Sequence, residues 1–247
     1  MILRLILVAN LFFFTSSYSQ SEVYELREYD LKFGTSEDIL HDYFKEALIP
    51  ALNRQGAENV GAFEESGENL PKKIYLIIPF KNMQHYLDVS DGLEDDDEYK
   101  STAEAYRNTT PNKIPFERYK SSFIRSTWGF PNLVNPGDDL DQFELRIYES
   151  YNEDALRRKL KMFNEDEFEI FADAGLRTVV FGKNISGDQM PSLTYLLAFK
   201  NKEEHEQAWS NFGNHPDWER ISNLKEYANT VSDITRVFLK SLPYSQL

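Results

Sequence analysis

One short strand-like sequence occurs twice in this 247-residue chain, and this repeat constrains the fold more than any other feature. Residues 24–31 read YELREYDL, and residues 143–150 read FELRIYES, 119 positions later. Other pairs at the same offset are Phe44 and Phe163, Gly56 and Gly175, Leu93 and Phe212, Tyr99 and Trp218, and the FKN of residues 80–82 and 199–201. One constant offset over several segments predicts an internal duplication of a unit of about one hundred residues.

Each copy has the same predicted order of elements: a strand, an amphipathic helix, two strands, a second helical region and a last strand. The strands are predicted at 23–30, 59–64, 74–80 and 116–125 in copy one, and at 142–150, 177–182, 193–199 and 234–240 in copy two. The order β-α-β-β-α-β is the ferredoxin-like pattern of the α+β class, an antiparallel sheet with helices on one face. The other face of such a sheet is bare, and an exposed apolar or aromatic face would be sticky, so the two copies are expected to pack sheet to sheet.

The first helix of each copy carries recognisable start and stop signals. In copy one, Thr35 or Ser36 is expected to cap the helix, and Pro50 to kink it or end it early. In copy two, Asn152 is expected to be the cap. Glycine follows both helices, as expected where a left-handed residue ends a helix.

The chain divides into four predicted segments. Residues 1–19 combine a basic start, ten mostly apolar residues and the small residues Ser17 and Ser19, a composition typical of a secretory signal peptide cleaved after Ser19. This predicts a secreted or periplasmic protein. The segments are the signal peptide at 1–19, the first ferredoxin-like domain at 20–127, a linker rich in Pro, Gly, Asn and Asp at 128–141, and the second domain at 142–247.

Composition excludes several kinds of partner and modification. The formal net charge of −14 repels a polyanion, so no nucleic-acid partner is expected. There is no cysteine, which excludes disulfides and lipid attachment through a cysteine at the signal-peptide cleavage site. No later segment reaches the length that a membrane-spanning helix needs.

Four features together resemble the NIPSNAP family: the first-strand pattern [YF]-E-L-R-x-Y, the glycine after the first helix, FKN after the third strand, and W-x2-F-x2-H-P-D-W from Trp209 to Trp218. The resemblance spans both copies and implies the dimeric α/β-barrel variant of the ferredoxin-like fold. Copy one departs from it, with Ser90 in the place of Trp209 and Tyr99 in the place of Trp218. The family implies no catalytic set. Other barrels of this architecture include monooxygenases, haem enzymes and isomerases, an analogy of fold alone.

The repeated strands supply the candidate ligand-binding residues. Alternate side chains of a strand point to opposite faces, so each copy gathers one Glu, one Arg and one Tyr on a single face. These residues are Glu25, Arg27 and Tyr29 in copy one, and Glu144, Arg146 and Tyr148 in copy two. We expect this face to point into the space between the two sheets, where arginine binds anions, glutamate accepts a proton and tyrosine donates one. The alternative is that each Glu–Arg pair satisfies itself as a structural ion pair.

Histidine and acidic clusters give no metal-binding pattern, and no cofactor is predicted. His41, His85 and His205 fall in helices among polar residues, where solvated side chains are expected. His215 precedes a proline and is expected to start a helix, and Asp96, at the corresponding position of copy one, is expected to start the equivalent helix rather than bind calcium.

Two functional hypotheses follow. The first is a binding or catalytic barrel that holds a small, partly apolar ligand between the sheets. The second is a non-catalytic protein-interaction module, which an exposed aromatic patch around Trp209 and Trp218 would support. Because the duplication already pairs two units, the sequence leaves open both a single chain and a homo-oligomer.

Overall fold

The computed structural model describes residues 21–68, 70–137 and 139–247, so the predicted signal peptide lies outside the described residues. The strands are β1 (Val23–Leu31), β2 (Gly61–Glu65), β3 (Lys73–Phe80), β4 (Phe116–Ser126), β5 (Gln142–Glu149), β6 (Arg177–Ser186), β7 (Ser192–Phe199) and β8 (Asp233–Ser241). Each predicted strand is present and its ends differ by no more than four residues, so the β-α-β-β-α-β order is confirmed in both copies.

The eight strands form one closed antiparallel barrel in the order β1-β3-β2-β8-β5-β7-β6-β4. Each copy contributes a four-stranded sheet, and the edge strands of the two sheets pair with each other. At one seam β2 pairs with β8, as Phe63 with Ser241, and at the other β4 pairs with β6, as Ser126 with Gly182. The two copies are therefore packed sheet to sheet and also joined at both edges, as expected for a dimeric α/β barrel within one chain.

Helices cover the outside of each sheet. In copy one they are α1 (Asp38–Asp42), α2 (Ile49–Arg54), α3 (Met83–Asp95), α4 (Asp97–Thr102) and α5 (Glu104–Arg107), and in copy two α6 (Glu153–Met162), α7 (Phe168–Ala174), α8 (Lys202–Gly213) and α9 (Pro216–Ser222). Among the described residues, none of these helices is both long enough and apolar enough to cross a membrane.

The first helix of each copy contains a π-helical turn, Tyr43–Leu48 in copy one and Phe163–Glu167 in copy two. The expectation that Pro50 ends the first helix early is wrong, because the helix continues through it to Arg54. Pro50 is the second residue after the π-helical turn, and such a turn already departs from the regular hydrogen-bond ladder that a proline would interrupt.

Side-chain caps agree with the sequence in copy two and differ in copy one. Asn152 Oδ1 accepts a hydrogen bond from Ala155 N, which confirms the predicted cap. In copy one the N-cap residue is Glu37, whose side chain makes no capping bond. Of the two predicted caps, Ser36, one position earlier, accepts a hydrogen bond from Asp38 N at 3.3 Å, whereas the Thr35 hydroxyl donates to Lys32 O. Asp96 and His215 cap α4 and α9, as expected.

Buried apolar residues form three clusters, and these clusters decide which face of the repeated strands is the barrel interior. Tyr24 and Leu26 of β1 join Phe143 and Leu145 of β5 in the cluster shared by both copies. Tyr29 and Tyr148 instead belong to the two separate clusters that lie beneath the helices.

The expectation that the Glu-Arg-Tyr faces point between the sheets is therefore wrong, because they lie between sheet and helices. Both faces of β1 and β5 are buried. The alternation of side chains along a strand therefore assigns residues to two faces, but it does not show which face lines the barrel interior. The centre of the closed interior takes the apolar set, since a charge buried there would need a partner. The face beneath the helices tolerates Glu and Arg because each glutamate has partners there, His205 and Trp209 of α8 for Glu144, and Arg27 and Ser121 of the sheet for Glu25.

Candidate functional site

In copy two the site is built around the buried carboxylate of Glu144, which is 1% exposed. Its Oε1 accepts a hydrogen bond from Arg146 Nε at 2.7 Å. Its Oε2 accepts from Trp209 Nε1 at 2.8 Å and contacts His205 Nε2 at 3.0 Å. Helix α8 places His205 and Trp209 one turn apart, so both side chains reach down to the same carboxylate.

The guanidinium of Arg146 is covered by the indole of Trp209, with the arginine Cζ 3.6 Å from the ring centroid. Its Nη1 also donates to the hydroxyl of Tyr148, which accepts a second bond from Tyr195. Burial opposes the charge of Arg146, but Tyr195, Tyr148 and Glu144 outweigh it and raise the pKa of Arg146. The indole thus closes the copy-two site over a paired arginine.

A second buried ion pair lies deeper under the copy-two helices. Lys159 Nζ donates to Glu167 Oε2 at 2.7 Å, and the two side chains are 5% and 2% exposed. The ammonium lies 4.6 Å from the ring centroid of Phe163 and 5.5 Å from that of Trp218. Burial raises the pKa of the Glu167 carboxyl, although Lys159 counteracts part of this effect.

In copy one, the equivalent pair is incompletely satisfied. Arg27 Nη2 donates to Glu25 Oε2 at 2.8 Å, and Glu25 Oε1 accepts from Ser121 Oγ at 2.6 Å. Arg27 Nε is buried without a hydrogen-bond partner among the described residues. Burial opposes the charge of Arg27, and Glu25 and Tyr29 outweigh it, so the pKa of Arg27 is raised and the side chain stays cationic.

No indole covers Arg27, because Ser90 stands where copy two has Trp209. The hydroxyl of Ser90 donates to Tyr86 O on its own helix and does not reach the arginine. The space is instead an open cleft of about 540 Å³ between the sheet and the helices. We call it the Arg27 cleft, and its lining includes Arg27, Tyr43, Ser90, Tyr99, Lys100 and Arg107.

The Arg27 cleft combines aromatic walls with positive charge. Tyr43 stacks on Tyr106 with ring centroids 3.9 Å apart, and its hydroxyl is 2.8 Å from that of Tyr99. Burial raises the pKa of the Tyr43 hydroxyl, which stays neutral. The charged lining residues are Arg27, Lys100, Arg107 and Glu94. Arg27 is paired with Glu25, and Lys100 Nζ lies 2.6 Å from Asp97 Oδ1, so Arg107 is the lining cation with no ion-pair partner among the described residues.

The space between the two sheets is a less favourable ligand site than predicted. Its centre is filled by the cluster that both copies share. A cavity of about 290 Å³ remains near the mouth where β1 ends. There Glu28 pairs with Lys73 at 2.6 Å and with Lys120 at 3.4 Å. The six predicted residues thus occupy two sites under separate helix layers, and none of them is in the shared interior cluster.

Sequence analysis missed the cleft-lining residues Tyr43, Lys100 and Arg107, although the exchange of Trp209 for Ser90 was visible in the repeat. The expectation that His205 is solvated is wrong, since the ring is half-buried against Glu144. Trp209 and Trp218 are also half-buried against the copy-two core, so they form no exposed aromatic patch. Within the described ranges, no group of three or more His, Asp or Glu side chains could hold a metal.

The barrel and its paired sheet–helix sites define a dimeric α/β barrel folded from one chain, a class confirmed by solved structures. The chain is similar to a protein from Fusobacterium nucleatum titled "Putative monooxygenase", with a TM-score of 0.55 and 12% identity, covering 90% of this chain and 93% of the other. A protein from Lactobacillus acidophilus, also named a putative monooxygenase, is similar with a TM-score of 0.54 and 11% identity, covering 90% of this chain and 94% of the other. At these identities the likeness shows the fold alone.

The family model named NIPSNAP matches residues 24–114 and again residues 143–246, so the chain belongs to the NIPSNAP family and carries two tandem copies. A NIPSNAP family protein of unknown function from Agrobacterium tumefaciens matches a single copy, with 14% identity and a TM-score of 0.37, covering 43% of this chain and 93% of that one. No curated protein matches the chain.

Proposed function

We propose that this protein binds a small, partly apolar organic anion in the Arg27 cleft of copy one. The observation that carries the proposal is the contrast between the copies: the volume that Trp209 fills above Arg146 is open above Arg27. The site lies between sheet and helices rather than between the two sheets. No cofactor is proposed for binding.

Trp209 fills the copy-two site, and its side chain indicates which kind of ligand the copy-one cleft accepts. Trp209 places a flat aromatic ring against a guanidinium, which is a favourable stacking partner for such a ring. Arg27 offers the exposed part of its guanidinium, and Arg107 adds positive charge at the lining, whereas Lys100 is paired with Asp97. An aromatic carboxylate satisfies both features, because its ring stacks and its carboxylate accepts charge-assisted hydrogen bonds.

Ser90→Trp is the direct test, because it gives copy one the residue that closes copy two. Isothermal titration calorimetry with 2-naphthoate and indole-3-carboxylate measures binding. The control ligand is 2-naphthamide, which has the same ring as 2-naphthoate but no charge. We expect the wild-type protein to bind the carboxylates more tightly than the amide. Ser90→Trp should weaken carboxylate binding at least about tenfold, which is a loss of about 1.4 kcal/mol of binding free energy. Ser90→Ala, which leaves the cleft open, should bind as the wild type does. Equal affinity in Ser90→Trp and the wild type would refute the proposal.

We further propose that the protein is exported and acts as a single chain. Residues 1–19 have the composition of a signal peptide, and both seams of the barrel are formed within one chain. Expression from the full-length gene followed by mass spectrometry of the mature protein should give an N-terminus at Gln20. An unprocessed Met1 in the exported fraction would contradict cleavage, and light scattering that showed a stable dimer would contradict the single-chain unit.

A further inference from the structure

A second cavity, of about 520 Å³, lies on copy two outside the Arg27 cleft. It runs along the outer face of β8 beside the start of α8. Its aromatic walls include Phe199 and Phe238, and the side chain of Phe238 is 50% exposed. The His205 imidazole lies between these two rings, with centroid distances of 4.8 Å to Phe199 and 5.4 Å to Phe238. We call this space the His205 pocket.

The hydrogen bonds of His205 fix which ring nitrogen can act on a ligand. A carboxylate only accepts hydrogen bonds, so the contact with Glu144 Oε2 places the proton of the neutral ring on Nε2. The other nitrogen, Nδ1, then carries a lone pair and has no hydrogen-bond partner among the described residues. Glu144 is buried, so this carboxylate is held in place to stabilise the imidazolium that forms if Nδ1 takes up a proton.

Copy one shows that the arrangement is specific to copy two. Phe123 stands opposite Glu25 and Phe238 stands opposite Glu144, so the two phenylalanines are equivalent by register. Between Phe80 and Phe123, copy one has Tyr86, which packs edge-on against both rings. The aromatic sandwich is therefore repeated, whereas the histidine and its contact with the buried glutamate occur in copy two.

We propose that the His205 pocket binds a small phenol and that Nδ1 of His205 accepts its hydroxyl proton. The phenolic O–H bond breaks, an N–H bond forms at Nδ1, and the oxygen keeps the electron pair as a phenolate. The imidazolium is paired with Glu144, and the phenolate lies near Lys202 or Lys240 at the rim. The phenol ring packs against the half-exposed ring of Phe238, which lines the pocket beside His205.

Charges of both signs surround the imidazole, and they set the conditions of the test. The charged residues that face it or line the same pocket are Asp141, Glu144, Lys202, Glu206 and Lys240. Lys202 is 3.5 Å from Glu206 on the exposed surface of α8, so part of its charge is compensated. The buried Glu144 is the partner that salt screens least.

The test uses 4-nitrophenol, whose phenolate absorbs visible light whereas the phenol does not. Titrating the protein into the dye at a pH below its free pKa should raise the phenolate absorbance, with about tenfold more phenolate for the bound dye than for the free dye, a pKa shift of about one unit. His205→Gln keeps an N–H donor for Glu144 and removes the base, so it should bind the dye without this increase. His85→Gln, in copy one, is the matched control and should behave as the wild type.

The proposal is overturned if the wild-type protein gives no phenolate signal, or if His205→Gln gives the same signal. If His205→Gln fails to fold, the titrations of the wild type and of Ser90→Trp together decide the assignment. Repeating the titration with Ser90→Trp separates the two sites. A signal that survives this substitution belongs to the His205 pocket, and one that vanishes with it comes from the Arg27 cleft and overturns the assignment to His205.

Discussion

Replacing Lys159 by Met tests the energetics of the buried ion pair under the copy-two helices. The substitution leaves Glu167, which is 2% exposed, with no cation in place of the Lys159 Nζ at 2.7 Å. A lone buried carboxylate protonates rather than remain charged. At about 1.4 kcal/mol per pH unit, protonating a carboxyl of ordinary pKa 4.5 at pH 7 costs about 3.4 kcal/mol.

The pH dependence has a definite sign. In Lys159→Met the folded-state pKa of Glu167 lies above its unfolded value, so the folded state is fully stable below the unfolded pKa and loses stability as pH rises through the folded pKa. The cost should therefore be about 3.4 kcal/mol at pH 7 and close to zero near pH 4.5. For a chain of this size, about 3.4 kcal/mol lowers the melting temperature by about 7–14 °C.

Copy one supplies the control, because Leu40 and Leu48 occupy the positions of Lys159 and Glu167 there and are fully buried. The double variant Lys159→Leu/Glu167→Leu should be neutral or about 1–4 kcal/mol more stable than the wild type, since apolar side chains remove both buried charges. Urea denaturation followed by circular dichroism at pH 7 and pH 5 measures all three proteins. A single-variant cost that does not change with pH, or a double variant as unstable as the single one, would refute the reasoning.

Two further substitutions test the seam and a helix cap. Gly182→Ala places a Cβ 2.3 Å from the carbonyl oxygen of Arg125 at the β4–β6 seam, and it should lower the free energy of unfolding by about 1–3 kcal/mol in thermal denaturation. Gly213 has open space around it, so the control Gly213→Ala should cause no loss. Equal effects of the two substitutions would contradict the steric explanation. Asn201→Ala removes the Oδ1 that accepts a hydrogen bond from Glu204 N, and it should lower the free energy of unfolding by about 1 kcal/mol. The control is Ser210→Ala at an exposed position of the same helix. Equal stability of the two variants would contradict the capping role of Asn201.

The fold was predictable because the repeat and the strand pattern are properties of the sequence itself. A constant offset identified two units, and the ferredoxin-like order followed from alternating strands and helices. The face of β1 and β5 that points inward was not predictable in this way. Glu25 and Glu144 are 2% and 1% exposed, so the polar face is as deeply buried as the apolar one.

The candidate sites were only partly predictable, for different reasons. The exchange of Trp209 for Ser90 was readable from the repeat, but its meaning depends on Arg27 lying beneath the helices rather than inside the barrel. The contact of His205 with Glu144 joins residues 61 positions apart and depends on how α8 crosses β5. In the last strand, the register opposite Glu25 and Glu144 makes Phe238 the equivalent of Phe123, four positions away from the residue that the constant offset would select.

A barrel assembled from two identical chains carries every substitution twice, so its two clefts are alike by necessity. The peptide linkage between the copies removes that symmetry constraint. This chain has Ser90 at the position beside Arg27 and Trp209 over Arg146. Two identical chains in a homodimer cannot differ in this way. Titration with an aromatic carboxylate should therefore saturate at one molecule per chain and follow a simple hyperbola. If the Arg27 cleft binds as proposed, the covalent joining of the copies leaves one binding site where a homodimer would have two.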